Sequence, residues 1–326
     1  MKGIKIFFIV FIISLPFWWG INILESNLKE IFFFEITKNN PELFTAQLYQ
    51  PSQFLPKKLK NENLEIDAKS AISVWFNHRG EQKILFQKNA SEKLPIASLT
   101  KLMTALITLE TYNMDKELII TEQAIKQPEE KGNLRAGETL SVENLLHITL
   151  IESSNDTAYA LSEGKTVSQA EYIGKEKFVE MMNFKAKNLG LENTLFLNPT
   201  GIDEDEPENY LKHYSASQDL VKLSKYIFND YPQIFEISTK TSYEIFNPDG
   251  TLHHFIAANT NGLLLEPEWQ NEIIGSKTGW TPKAQGCLLV LVEEKKGYTI
   301  NIILGSEDRF GEMKKLINWT HDIFYF

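Results

Sequence analysis

Pro95-Ile96-Ala97-Ser98-Leu99-Thr100-Lys101-Leu102-Met103-Thr104-Ala105-Leu106 is the stretch on which the reading of this chain turns. Leu99, Leu102, Met103, Leu106, Ile107 and Leu109 recur at helical spacing, so a helix begins near Ser98 with one face in a core. Ser98 and Lys101 stand three positions apart, which sets both side chains on one helical face within mutual reach. A serine hydroxyl attacks poorly until a neighbour takes its proton. A lysine can take it only when burial or a nearby positive charge destabilises the ammonium form. The pattern alone decides nothing, because it recurs at Ser26/Lys29 and Ser162/Lys165, where a capping serine beside a surface lysine explains it.

Two rarer elements lie downstream. Ser153-Ser154-Asn155 is the one Ser-x-Asn in the chain and follows the apolar run Leu145 to Ile151. Its plain structural reading is a helix cap. Lys277-Thr278-Gly279 is the one Lys-Thr-Gly, placed before the apolar run Cys287 to Val292, and its plain reading is a strand-edge turn. Serine-lysine chemistry has use for both. A second hydroxyl and an amide can relay protons and hold substrate, a Lys and Thr can bind a carboxylate, and a glycine permits close backbone approach.

On the N-terminal side, Ala71 to Phe76 and Lys83 to Phe86 read as strands joined around His78-Arg79-Gly80. The middle, 112–230, is helical in pattern, with examples at Val142 to Leu150, Phe178 to Leu189 and Leu220 to Ile227. Strands return at Cys287 to Val292 and Thr299 to Leu304, the first apolar on both faces and so interior. An amphipathic helix around Gly311 to Phe324 closes the chain. Hairpin, helices and hairpin predict a mixed α/β sandwich with a helical insert.

Ile6 to Leu24 carries no charge and follows Lys2 and Lys5. At about 1.5 Å per residue the run spans roughly 28 Å, close to the hydrocarbon thickness of a bilayer. A cleaved secretory signal is the rival reading, but no alanine occurs before Ala46 to supply a small-residue cleavage site. We expect 1–24 to be a cytoplasmic tip and single-pass anchor, 25–62 a stalk, and 63–326 the hydrolase domain on the extracytoplasmic side, with secretion after cleavage as the alternative. The patch Ile31 to Phe34 is unusual for a free linker.

A formal net charge of −10 argues against a nucleic-acid partner. Six His and one Cys leave little for a metal site, and neither metal nor cofactor is expected. Cys287 reads as a buried small hydrophobe. His253 and His254 should point to opposite faces of a strand. Gly275-Ser276-Lys277-Thr278 fails as a phosphate loop, because serine and not glycine precedes the lysine.

The ordered set Ser-x-x-Lys, Ser-x-Asn, Lys-Thr-Gly occurs in β-lactamases and penicillin-binding proteins. The wider text, in Phe196-Leu197-Asn198-Pro199-Thr200-Gly201-Ile202-Asp203, Tyr214-Ser215-Ala216, Gly275 to Thr281 and Glu307-Asp308-Arg309-Phe310, resembles the low-molecular-mass D-alanyl-D-alanine carboxypeptidase family over about 65–326. The resemblance implies a β-lactamase/transpeptidase-like α/β fold, a mixed antiparallel sheet flanked by helices with a helical subdomain. It implies Ser98 as the acylated nucleophile, Lys101 as its base, and Ser153 and Asn155 in the proton path. It implies Lys277 and Thr278 on the substrate carboxylate, Gly279 beside the substrate backbone, and Ser98 and Trp280 N–H groups in an oxyanion hole. The partners implied are stem peptides ending in D-Ala-D-Ala and β-lactams. Lys101 is expected to be the more buried lysine and neutral, Lys277 charged. The middle element departs mildly, with Ser154 where a glycine is common. A D,D-endopeptidase stays open as an alternative. A β-lactamase is the next rival, and Glu206-Pro207-Glu208-Asn209 resembles its water-activating loop but sits in an acidic run and reads as a solvated insertion. An inactive peptidoglycan-binding module would not need Lys101.

Overall fold

A computed structural model describes residues 57–59, 62–129, 131–166, 172–203, 213–256 and 258–326. The expected anchor, the Ile31 to Phe34 patch and the Glu206 to Asn209 loop lie outside these residues. Among the described residues, no helix is long and apolar enough to cross a membrane.

Five strands make the central sheet: β1 (Ser70–Phe76), β2 (Gln82–Lys88), β3 (Ile273–Thr281), β4 (Gln285–Glu294) and β5 (Gly297–Ser306). They lie in the order β2-β1-β5-β4-β3, and every pairing is antiparallel. The expected hairpin between β1 and β2 turns at Gly80, whose φ of +83° suits glycine. β4 is interior, as its double-sided apolar run requires. Cys287, Leu289 and Leu291 pack into the larger core beneath the helices, while Leu288, Val290 and Val292 pack into a second core on the opposite face. The period of two along a pleated strand produces this split. β3 ends the sheet, so among the described residues one of its edges has no strand neighbour.

The helices are α1 (Lys101–Thr111), α2 (Val142–His147), α3 (Asn155–Glu163), α4 (Lys175–Asn188), α5 (Ser217–Asp230), α6 (Gln233–Ser238) and α7 (Arg309–Ile323). Met313, Leu316 and Ile317 bring α7 onto the second core. The helix expected at Ser98 begins one step later, because Ala97–Thr100 is a 3-10 turn leading into α1. In that geometry residues three apart eclipse, which stacks Ser98 and Lys101 on one side of the turn. α2 passes into a π turn at Ile148–Glu152, an irregularity common at functional sites. Lys57 and Lys58, inside the stretch read as stalk, pair with Tyr325 and Phe324 at the C-terminus of the body.

One expectation is overturned. His253 and His254 do not face apart; their Nδ1 atoms lie 2.7 Å from each other. In the hairpin Tyr243–Phe246/Leu252–Ile256, His254 pairs with Ile245 and Leu252 with Phe246. His253 therefore has no partner in the ladder. An extra residue at a bulge breaks the alternation, which a sequence period of two cannot foresee.

Candidate active site

Lys101 is fully buried at the start of α1 and donates to three oxygens. They are Ser98 Oγ at 2.7 Å, Asn155 Oδ1 at 2.7 Å and the Thr200 carbonyl at 2.8 Å. An ammonium fills all three; once it loses a proton, Asn155 Oδ1 and the Thr200 carbonyl, acceptors only, keep its two N–H bonds and its lone pair faces the one partner that can donate, Ser98 Oγ. Burial first, then the positive charge of Lys131, pushes the Lys101 ammonium down to about 7, against an opposing pull from Glu129.

The second serine-lysine pair faces it. Ser153 ends the π turn with φ of +63°, a left-handed conformation sparsely populated outside glycine and asparagine. Lys277, on β3, donates to Ser153 Oγ at 2.8 Å and to the Thr278 carbonyl at 3.0 Å. Burial, then Lys101, Lys131 and Arg309, hold the Lys277 ammonium well below the usual lysine range while no anion is present. Lys101 was expected to be the more buried lysine, but burial does not separate the two, for both are almost wholly covered. Their difference lies in their acceptors.

Ser153-Ser154-Asn155 supplies a helix cap at Ser154 and contacts to the two lysines at Ser153 and Asn155. Ser154 caps α3, accepting from Thr157 N at 3.2 Å and donating to the Lys131 carbonyl at 2.9 Å. That cap turns the chain so that Ser153 and Asn155 enter the cleft from either side of it. Asn155 Nδ2 donates to the Pro128 carbonyl at 2.7 Å, which leaves Oδ1 for Lys101.

β3 runs close beside Ser98. A Cβ on Gly279 would lie 3.0 Å from Ser98 N and 3.0 Å from the Ile96 carbonyl, so glycine is what lets the strand edge approach. Thr278 Oγ1 donates to Thr260 Oγ1 at 2.7 Å. Trp280, next along the strand, is 57% exposed at the cleft mouth. Cys287 is buried under the Ser98 turn with its thiol pushed up to about 11, as expected of a packing residue. Every predicted site residue from Ser98 to Gly279 thus converges on one cleft.

Four contributors were not foreseen. Thr260 and Lys131 sit on loops whose sequence carries no periodic signal. Arg309 Nη1 donates to the Gly279 carbonyl at 2.9 Å, steadying the strand edge. The Thr200 carbonyl was foreshadowed by Asn198-Pro199-Thr200-Gly201, where Asn198 Oδ1 accepts from Gly201 N at 2.7 Å in a side-chain-closed turn.

The profile of the Peptidase S11 family, described as D-alanyl-D-alanine carboxypeptidase, matches residues 57–308. The chain belongs to the D-alanyl-D-alanine carboxypeptidase family. Membership makes it a serine peptidase. Among relatives, the D-alanyl-D-alanine carboxypeptidase DacF of Bacillus subtilis is 31% identical over 83% of this chain and 67% of its own length. The D-alanyl-D-alanine endopeptidase of Escherichia coli is 30% identical over 78% of this chain and 77% of that protein. The chain thus spans about two thirds of the carboxypeptidase relative. The crystal structure of the Streptomyces K15 DD-transpeptidase superposes with a TM-score of 0.66 at 26% identity, covering 80% of this chain and all of that one. Penicillin-binding protein D2 of Listeria monocytogenes, solved in its ampicillin-bound form, gives 0.61 at 29% identity, over 79% and 98%. The family's β-lactamase/transpeptidase-like α/β fold is the one observed.

Proposed function

We propose that this member releases the terminal D-alanine from peptidoglycan stem peptides through an acyl-enzyme on Ser98. The observation that carries the reading is the contact set of Lys101, which keeps its Nζ 2.7 Å from Ser98 Oγ and gives a neutral amine two acceptors for its N–H bonds in Asn155 Oδ1 and the Thr200 carbonyl. Ser98 Oγ attacks the carbonyl carbon of the penultimate D-alanine while its proton passes to Lys101 Nζ. The developing oxyanion is met by the Ser98 and Trp280 N–H groups, each such donor being worth about 10²–10³ in rate. The C–N bond then breaks, and the proton held by Lys101 passes to the departing amine by way of the Ser153 hydroxyl, which is hydrogen-bonded to Lys277. Water completes the cycle: Lys101 takes its proton, its oxygen adds to the acyl carbon, and the bond from that carbon to Ser98 Oγ breaks as the proton returns to Ser98. Lys277 and Thr278 hold the substrate's terminal carboxylate, whose negative charge restores the ammonium form that burial disfavours. Trp280 offers an exposed ring to the substrate beside the strand edge.

A β-lactam would acylate the same oxygen. Cleavage of cross-links is the second reading, supported by the 30% identity to an endopeptidase. We also propose that residues 6–24 tether the body to the outer face of a bacterial membrane, on the strength of the uncharged run behind Lys2 and Lys5. The test is to incubate the chain with a stem pentapeptide, a cross-linked dimer and a penicillin, following products by mass. Release of D-alanine with a penicillin adduct on Ser98 is expected. Adduct on another residue refutes the Ser98 assignment, and recovery of the N-terminus only in the soluble fraction refutes the tether.

A further inference from the structure

Behind the nucleophile, on the side away from the cleft, lies a hydrogen-bonded line that the chemistry above does not use. Ala97, directly before Ser98, has φ of +48°, a left-handed conformation sparsely populated for alanine. Its carbonyl accepts from Thr100 Oγ1 at 2.8 Å. Thr100 Oγ1 lies 2.8 Å from His213 Nε2, and His213 Nδ1 lies 3.3 Å from Leu197 N. Gly201 presses on the same turn, since a Cβ there would overlap the Ala97 carbonyl. His213 is itself pinned. Tyr214 exchanges both backbone hydrogen bonds with Leu195, and Ser215 does so with Leu94.

The partners fix the direction of every bond. Leu197 N–H can only donate, so His213 Nδ1 carries a lone pair. A neutral imidazole then holds its one hydrogen on Nε2. The Thr100 hydroxyl accepts that hydrogen and sends its own to Ala97 O. A second ring proton would set Nδ1–H against Leu197 N–H and break the line at its far end.

We propose that His213 is a positioning residue for acylation: as the neutral Nε2–H tautomer it orients Thr100, which holds the left-handed Ala97 turn and so aims Ser98 Oγ and Ser98 N. Burial pushes the His213 ring down to about 4, so the ring stays neutral wherever Lys101 can act as a base. The Phe196 ring packs edge-on against it, centroids 5.7 Å apart, and fixes its plane. Lys101 meets the nucleophile from inside the cleft, whereas His213 acts from behind, with Thr100 and Ala97 between it and Ser98. The inference rests on Ser98 as the acylated residue.

Full-length parent, Thr100→Val, Thr100→Ser and His213→Leu would be compared for penicillin acylation, separating the rate constant at saturation from the concentration giving half of it. Thr100→Val and His213→Leu should lower the saturated rate constant by about 10-fold or more at unchanged half-saturation, as partial loss of one oxyanion donor predicts. Thr100→Ser, which keeps the hydroxyl, should restore it. Nitrogen NMR of the parent should show His213 protonated at Nε2 alone. An Nδ1–H tautomer overturns the proposal whether or not the variants fold. Saturated rate constants within about twofold of parent in both disrupting variants also overturn it. A parent that forms no adduct on Ser98 sinks the site reading together with the proposal, which distinguishes that failure from the other two.

Discussion

The cleft holds two buried serine-lysine pairs that look alike and differ in what surrounds the nitrogen. Lys101 meets two obligate acceptors plus the Ser98 hydroxyl, while Lys277 meets one obligate acceptor plus the Ser153 hydroxyl. An amine with two N–H bonds is complete in the first setting. In the second, an ammonium still has a proton to offer an incoming anion. Burial pushes both lysines the same way, so desolvation alone does not allot their roles. Their neighbours do, since Lys101 Nζ lies 2.7 Å from Ser98 Oγ while Lys277 donates to Ser153 Oγ and keeps a further proton for an anion. On the proposed reading, one residue type serves as both base and anion clamp.

That contrast breaks most visibly at Lys101. Lys101→Ala should slow acylation by about 10²–10⁴-fold for peptide and penicillin alike, since a general base is lost. Stopped-flow labelling measures it, and near-parental rates would remove the base assignment. Lys277→Ala should cost roughly 10–100-fold in kcat/KM for a free-acid peptide, the loss of a charge-assisted contact worth about 1.5–3 kcal/mol. For the same peptide with an amidated terminus the loss should nearly vanish. Equal losses on both substrates would erase the distinction between the two pairs.

Smaller effects sharpen it. Lys101 acts as a base only when neutral, and its folded-state value near 7 sets the window. Acylation by a penicillin should therefore rise as pH climbs through about 7, by roughly tenfold between pH 6 and 8, and fall on the acid side. A flat profile over that range contradicts the assignment. Ser154→Ala removes the α3 cap and should lower stability by about 1 kcal/mol, seen as a drop in Tm. It should weaken both pairs together, because Ser153 and Asn155 flank that cap. An unchanged Tm would show that the Lys131 loop, and not the cap, sets the turn.

Much of this was legible in the chain itself. The unbroken apolar run Cys287 to Val292 placed β4 inside the sheet, and three short motifs named the four residues that form the two serine-lysine pairs. What was hidden depends on residues far apart in sequence. Thr260, Arg309 and His213 reach the site only after the sheet and the helical insert have closed on each other. The bulge at His253 is a matter of pairing register, which depends on the opposite strand as much as on its own residues. The acceptor count of each lysine is likewise a property of the assembled cleft, absent from any local window.

The free edge of β3 carries a lesson for anyone redesigning this protein. A strand left unpaired at the end of a sheet invites stray chains to zip onto it, and soluble proteins commonly protect such edges with charges, bulges or a covering segment. Here that protection would obstruct the approach to Ser98 that Gly279 keeps open. Solubility engineering should therefore leave Lys277 to Trp280 untouched and place added charge on β2, the opposite margin of the sheet. A short extended peptide able to pair with β3 would in turn be a natural starting point for a non-β-lactam blocker.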